Sequence, residues 1–137
     1  MLEEIALKYY AQGYNCAETI VLCAKEAYHL DINESAVRMF AAYGGGIQCG
    51  DVCGCLLGAA GVLSSLYVTD KAHDTKEIKG YTQLLVREFE KETGSRKCME
   101  IKPKFYSKEF KCRNTVVHGA RALENTIKMI QEKRTQD

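Results

Sequence analysis

The chain has 137 residues, 46% of them hydrophobic, which suffices for one domain with its own core. Neither a metal ion nor a set of disulfides is therefore needed merely to hold the fold together. Its 19 basic and 18 acidic side chains leave a formal net charge of +1, which argues against nucleic acid as a partner.

The residues that say most about the chemistry of the chain are its seven cysteines. The N-terminal residues 1–5 are acidic and amphipathic, whereas a secretory signal begins basic and continues apolar, so we expect a cytoplasmic protein. In a reducing cytosol, cysteines serve as free thiols, metal ligands or a cycling redox pair more often than as permanent disulfides. We therefore expect a functional role for some of these thiols.

The sequence pattern predicts an all-α fold. The chain contains one proline and several apolar stripes at helical spacing, but no strong run of alternating β-branched residues. We find no domain boundary. The prediction is a single helical redox-active cysteine domain over residues 1–137, a bundle of about five to six helices around a buried central helix.

The first three predicted helices lie before residue 42. Residues 2–12 form a short amphipathic helix. Asn15 and Glu18 have the spacing of a capping box, which predicts the start of a second helix. Asn33 can cap a short third helix.

A glycine loop and an apolar helix follow. Gly44, Gly45 and Gly46 cannot sustain a helix, so we expect a loop there. Residues 53–68 are apolar on nearly every side and predict the buried central helix. The uncharged stretch around it is a little shorter than the roughly 20 residues of a membrane span, and we expect no span.

The last third of the chain predicts two more long helices. Asp70 or Asp74 can start a polar-faced helix that Gly94 ends. Pro103 is expected to interrupt the chain, and a final helix begins near Lys111. The intervening lysine-rich stretch with its aromatic residues is interpreted as a solvated face with hydrophobic anchors.

The predicted helices place several thiols at helix starts. Cys16, Cys53 and Cys112 fall at or within the first turn of a helix, and Cys98 falls on a short turn of its own. The unpaired N–H groups of a helix start favour thiolate, which lowers the pKa of a cysteine and prepares it as a nucleophile or ligand. Cys23 is interpreted as a core residue.

Spacing alone identifies no standard sulfur site. Cys49 and Cys53 have the separation of a zinc half-site, but Cys98 and Cys112 lie too far apart to supply the second half. Neither a ferredoxin spacing nor a CxxC pair of the thioredoxin kind is present. A metal centre would have to be assembled from separate helices.

The ordered motifs resemble a known group of proteins, the C_GCAxxG_C_C family of small redox-active proteins named for four cysteines and a CGAxxG motif. The resemblance rests on Tyr14-Asn15-Cys16-Ala17, Gly44-Gly45-Gly46, Cys53-Gly54-Cys55-Leu56-Leu57-Gly58, Cys98 and Cys112-Arg113. It implies a helical domain in which Cys16, Cys53, Cys98 and Cys112 are the four family cysteines.

One position departs from the family pattern. Cys55 stands where the family usually has alanine, and with Cys49 it offers an alternative ligand. The family is also similar to the C-terminal part of split-Soret cytochromes, where an iron–sulfur centre is found. Haem is not expected here, because the chain has no CxxCH motif.

Four hypotheses remain open at this point. In the first, Cys16, Cys53, Cys98 and Cys112 bind an iron–sulfur cluster, and the backbone at Gly44, Gly45, Gly46 and Gly54 approaches the sulfurs. In the second, a Cys53 thiolate attacks a disulfide and Cys16 or Cys112 resolves it. Zinc in place of iron is the third, and a purely structural helical module is the fourth.

The sequence leaves other properties of the protein undecided. It does not distinguish an oxidoreductase from an electron-transfer protein, and it names no redox partner. The apolar central helix could also serve a homodimer interface.

Overall fold

Seven α-helices account for most of the chain in the computed structural model, which describes residues 1–136. In chain order, α1 to α7 span Leu2–Tyr10, Cys16–Tyr28, Glu34–Arg38, Gly54–Tyr67, Glu77–Thr93, Cys98–Phe105 and Arg113–Gln136. Two 3-10 turns, at Ala41–Tyr43 and Ala72–Asp74, and a π-type turn at Gly46–Gly50 connect them. The described residues form no strand, which confirms the all-α single-domain prediction.

The predicted number of helices, five to six, was too low. The additional helix is α6, because Pro103 lies inside it instead of interrupting the chain. A proline in a helix leaves the carbonyl four residues earlier, that of Met99, without its N–H partner. Met99 is exposed, so water can hydrogen bond to this carbonyl and the helix continues to Phe105.

The buried central helix is confirmed as α4. It packs against α2, α5 and α7, and its Val62 and Leu63 are fully buried. Gly58 allows α4 to cross α2 closely, since a Cβ there would lie 2.6 Å from the carbonyl oxygen of Ala17. Each fully buried Val or Leu side chain contributes about 1.5–3 kcal/mol, so this packing holds α4 firmly.

Helix α7 forms the long side of the bundle. It packs against α1, α5 and α4. Its buried stripe recurs every three or four residues, as expected for an amphipathic helix: Val116, Ala120, Leu123, Ile127 and Ile130. The N–H of Leu2 donates to Glu124 Oε1 at 3.0 Å, which fixes the start of α1 on the middle of α7.

Local sequence signals account for several helix ends. Asn15 and Glu18 form the predicted capping box at the start of α2, and Asn33 caps α3. Gly94 ends α5 in the left-handed conformation with φ +87°, where glycine is favoured. His29 adopts the same conformation after α2.

None of the helices formed by residues 1–136 combines the length and the apolar character that crossing a membrane requires.

Candidate functional site

Four cysteines stand at the starts of four different helices. Cys16 is the first residue of α2 and Cys98 is the first residue of α6. Cys53 is the N-cap of α4, and Cys112 immediately precedes α7. The structure thus places all four where the sequence predicted a helix start.

Backbone hydrogen bonds bring two of these starts side by side. The N–H of Cys53 donates to the Arg96 carbonyl at 2.8 Å, and the N–H of Cys98 donates to the Asp51 carbonyl at 2.7 Å. A single β-bridge between Val52 and Lys97 lies between these two bonds. The segments that lead into α4 and α6 are therefore held together, and Cys53 and Cys98 meet.

The start of α7 is attached to α1 by one side chain. The N–H of Cys112 donates to the hydroxyl oxygen of Tyr10 at 2.9 Å, across 102 residues of sequence. This bond satisfies an N–H at the beginning of α7 that has no partner within the helix. It fixes Cys112 near the other three cysteines.

The four cysteines line one small cavity. Its volume is about 50 Å³. Its walls are formed by Cys16, Gly45, Cys53, Cys98, Ile101, Lys102, Cys112 and Thr115. Cys16, Cys53 and Cys98 are buried and Cys112 is half-buried. Thiols from four helix starts therefore face a common small space.

Two glycines lie close to the sulfur of Cys16 and leave space for it. A Cβ on Gly54 would lie 2.6 Å from the Cys16 sulfur, so only glycine fits there. Gly45 lines the cavity, and its backbone is among the groups that lower the pKa of Cys16. The other two predicted glycines shape the loop: a Cβ on Gly44 would meet the Asn15 side chain at 2.7 Å, and one on Gly46 would meet the Cys98 Cβ at 2.8 Å.

The loop beside the cavity makes a left-handed turn. Gly45, Gly46, Ile47 and Gln48 have φ values of 61°, 65°, 55° and 59° in succession. Left-handed backbone costs a residue with a Cβ roughly 1–2 kcal/mol, and Ile47 is β-branched. This strained turn begins at Gly45, which lines the cavity.

The cavity holds two thiols in a form that favours thiolate. Hydrogen bonding with the Cys55 thiol, together with the N–H groups of Gly45 and Ala17, lowers the pKa of Cys16 from 9.0 to about 6 despite its burial. Hydrogen bonding with Cys55 also lowers the pKa of Cys53, aided by N–H groups of the first turn of α4. Cys55 has a single S–H that can donate to only one of these two sulfurs at a time, and the two sulfurs together with its burial raise its own pKa well above the ordinary value.

The other two thiols behave differently from the prediction that a helix start lowers the pKa. Burial raises the pKa of Cys98, and it raises the pKa of Cys112 to about 11. In both cases the nearby Lys102 opposes the rise without cancelling it. Removal from water thus outweighs the favourable field of the helix N-terminus at these two positions.

The remaining cysteines lie outside the cavity wall. Cys55 is fully buried behind Cys16 and Cys53, next to Gly119, where a Cβ would lie 2.9 Å from the Cys55 Cβ. Cys49 is exposed, and its thiol donates to the Gly46 carbonyl. Cys23 is fully buried in the core, where its thiol donates to the Ile20 carbonyl at 3.2 Å.

The four cysteine sulfurs of the cavity are the donor type that both iron–sulfur clusters and four-cysteine zinc sites use. Among residues 1–136, no three His, Cys, Asp or Glu side chains are grouped so as to hold one metal ion as they stand. Iron–sulfur clusters take four cysteine sulfurs and are tuned by hydrogen bonds to those sulfurs. The cavity has four such sulfurs, and backbone groups near Cys16 and Cys53 contribute to lowering the pKa of both.

Several residues of the site escaped the sequence analysis. Tyr10, Arg96 and Asp51 act through contacts between distant segments, for which one sequence carries no signal. Lys102 follows Cys98 by four residues on α6, and Thr115, in the first turn of α7, follows Cys112 by three. Helical spacing could have identified these two.

Comparison with known proteins gives one match. The model of a family described as "Putative redox-active protein (C_GCAxxG_C_C)" matches residues 14–126, which include all four helix-start cysteines. Among curated proteins and among solved structures, nothing matches the chain significantly.

Proposed function

The chain belongs to the C_GCAxxG_C_C family of redox-active proteins, and from this premise we propose that it binds an iron–sulfur cluster through Cys16, Cys53, Cys98 and Cys112. The observation that carries the proposal is the cavity of about 50 Å³ onto which these four thiols converge. Such a cluster, when bound, supplies one-electron transfer at a potential set by its protein surroundings.

In this proposal the protein holds the four cysteine sulfurs in place and shields them from water. Hydrogen bonding from the backbone of Gly45 and Ala17 contributes to lowering the pKa of Cys16. Hydrogen bonds of this kind stabilise negative charge on sulfur, so we expect them to raise the reduction potential of the centre. The buried walls limit the access of water to it.

The decisive experiment compares site cysteines with a cysteine that lies elsewhere. Each of Cys16, Cys53, Cys98 and Cys112 is changed to Ser, and the control is Cys23→Ala, which alters a buried core thiol. After anaerobic reconstitution with iron and sulfide, we expect each Ser variant to lose most of its bound iron and visible absorbance. The control should retain both, at a packing cost on the order of 1 kcal/mol.

Equal iron in all five variants would contradict this ligand assignment. Iron loss in the control alone would contradict it as well, since it would place the centre in the core.

A second candidate function is thiol–disulfide exchange. The contacts of Cys55 with Cys16 and Cys53, and the low pKa of Cys16, favour a thiolate that attacks a disulfide at neutral pH. In this mechanism Cys53 or Cys16 attacks, and a neighbouring thiol of the site displaces the bound partner.

Mapping of alkylated thiols under graded glutathione poise tests the second candidate. It predicts one reversible intrachain disulfide among the site cysteines of the iron-free protein. Seven thiols that react independently at every poise would eliminate it.

A further inference from the structure

Positive charge is concentrated in one segment of the chain. Residues 96–113 contain seven basic side chains and two acidic ones. The basic ones are Arg96, Lys97, Lys102, Lys104, Lys108, Lys111 and Arg113, and all of them are exposed. Because the whole chain has a net charge of +1, the remainder carries a net negative charge. We call the exposed face of residues 96–113 the basic surface.

These cations have few partners within the protein. In the described part of the chain, Arg96 alone among the seven forms an ion pair, with Glu90 at 3.1 Å. Two others lie over aromatic rings: the Arg113 guanidinium is 3.7 Å from the Phe110 ring centre, and Lys102 Nζ is 5.5 Å from that of Tyr106. Crowded like charges repel one another, so an external anion would stabilise this segment.

The basic surface begins at the wall of the cysteine cavity. Lys102 lines the cavity together with Cys98, which stands one helical turn earlier on α6. An open groove of about 690 Å³ lies beyond it. Lys104, Phe105, Tyr106, Phe110 and Arg113 are among the residues that line this groove. A molecule seated in the groove would therefore lie beside the site.

Apolar side chains are exposed in the same segment. Met99 is 61% exposed and Phe110 is 44% exposed. Aromatic residues, methionine and arginine are the residue types enriched in protein–protein interfaces. The stretch interpreted from the sequence as a merely solvated face thus has the composition of a contact surface.

We propose that the basic surface is the docking site of an acidic electron-transfer protein, an inference that rests on the proposed redox function. Opposite charge steers such a partner to the cavity and orients it there. The net negative remainder of the chain would repel a long polyanion, so the observations favour a folded acidic protein over nucleic acid. Redox encounters of this kind use small interfaces, in keeping with a patch of one short helix and the following loop.

The test measures binding and needs no electron transfer. Oxidised flavodoxin, an acidic carrier of FMN, serves as the probe at low ionic strength. The test variant is Lys104→Glu with Lys108→Glu. The matched control is Lys76→Glu with Lys133→Glu, which makes the same change in net charge. Lys133 lies roughly 30 Å along α7 from the cysteine end.

We expect the wild-type chain to bind flavodoxin, and added salt to weaken the complex. The test variant should bind at least tenfold more weakly, whereas the control should stay within about threefold of the wild type. Equal losses in both variants, or no binding by the wild type, would overturn the proposal. Tighter binding of single-stranded DNA, with the same sensitivity to the test variant, would overturn it in favour of nucleic acid.

The iron content of each preparation separates the two proposals. Protein that contains no iron after reconstitution but still binds flavodoxin would contradict the cluster and support the docking site. Protein that contains iron but does not bind flavodoxin would support the cluster and contradict the docking site.

Discussion

At the scale of single residues, the notable side chain is Cys55. It is fully buried and hydrogen bonds with both Cys16 and Cys53. Its thiol stays protonated, because burial and two neighbouring sulfurs raise its pKa. Cys55 therefore acts as a proton-holding donor that keeps Cys16 charged.

This role predicts how Cys16 reacts with pH in the iron-free protein. Its pKa of about 6 means that the thiolate fraction, and with it the rate of alkylation, rises as pH increases through about 6. The rate for Cys112, with a pKa of about 11, should still be rising at pH 9. Timed iodoacetamide labelling with mass spectrometry measures both.

The control for this prediction is Cys55→Ala. It removes the largest cause of the lowered pKa, so the midpoint for Cys16 should move upwards towards 9.0. An unchanged midpoint in this variant would show that Cys55 does not hold the proton.

Gly54 gives a second prediction at this scale. A Cβ there would lie 2.6 Å from the Cys16 sulfur and 2.9 Å from the Tyr43 carbonyl oxygen. Gly54→Ala should cost about 1–3 kcal/mol through overpacking and should reduce iron retention severalfold. Urea unfolding and iron analysis measure the two effects.

Gly80→Ala is the matched control, because a Cβ at Gly80 meets nothing within 4 Å. Gly80 is the fourth residue of α5, and its change to Ala should stabilise the protein by about 0.5–1 kcal/mol and leave the iron content unchanged. The account of Gly54 is wrong if both variants retain iron equally.

At the scale of the helices, the caps position the sulfurs. The Asn15 side chain accepts from the N–H of Glu18 and donates to the Ala41 carbonyl at 2.8 Å. One residue thus fixes the start of α2, where Cys16 stands, and ties it to the turn that leads into the glycine loop. Loss of this cap should disturb the site as well as the helix.

Asn15→Ala is therefore expected to cost about 1 kcal/mol and to reduce the amount of iron bound. Asn33→Ala removes the cap of α3, which carries no site cysteine, and should cost a similar free energy with full iron retention. Thermal unfolding with iron analysis compares them, and parallel iron loss in the two variants would argue against a positioning role.

Helix termini were also where the sequence was most informative. Asn15 with Glu18, Asn33 and Gly94 carry local signals, because capping depends on residues within a few positions. Helix α6 was missed, because whether a helix continues through Pro103 depends on the exposure of the freed carbonyl and on surrounding contacts. No spacing within one segment reports these.

At the scale of the whole molecule, four separate helix starts converge on one cavity. The sequence placed the cysteines on helices, and the family resemblance selected four of them. Neither the sequence nor the resemblance could show that the four cysteines converge. Their convergence depends on the Val52–Lys97 bridge and on the hydrogen bond between Tyr10 of α1 and the N–H of Cys112. The opposed pKa shifts at Cys16 and Cys112 also needed the structure, since burial decides their sign.

The central claim is that this convergence holds an iron–sulfur cluster. Its most direct test is the iron and acid-labile sulfide content of freshly prepared protein, purified without oxygen and then reconstituted. The account predicts brown protein with iron and sulfide in nearly equal amounts and at least about two irons per chain. Colourless protein that contains no iron after reconstitution would contradict it.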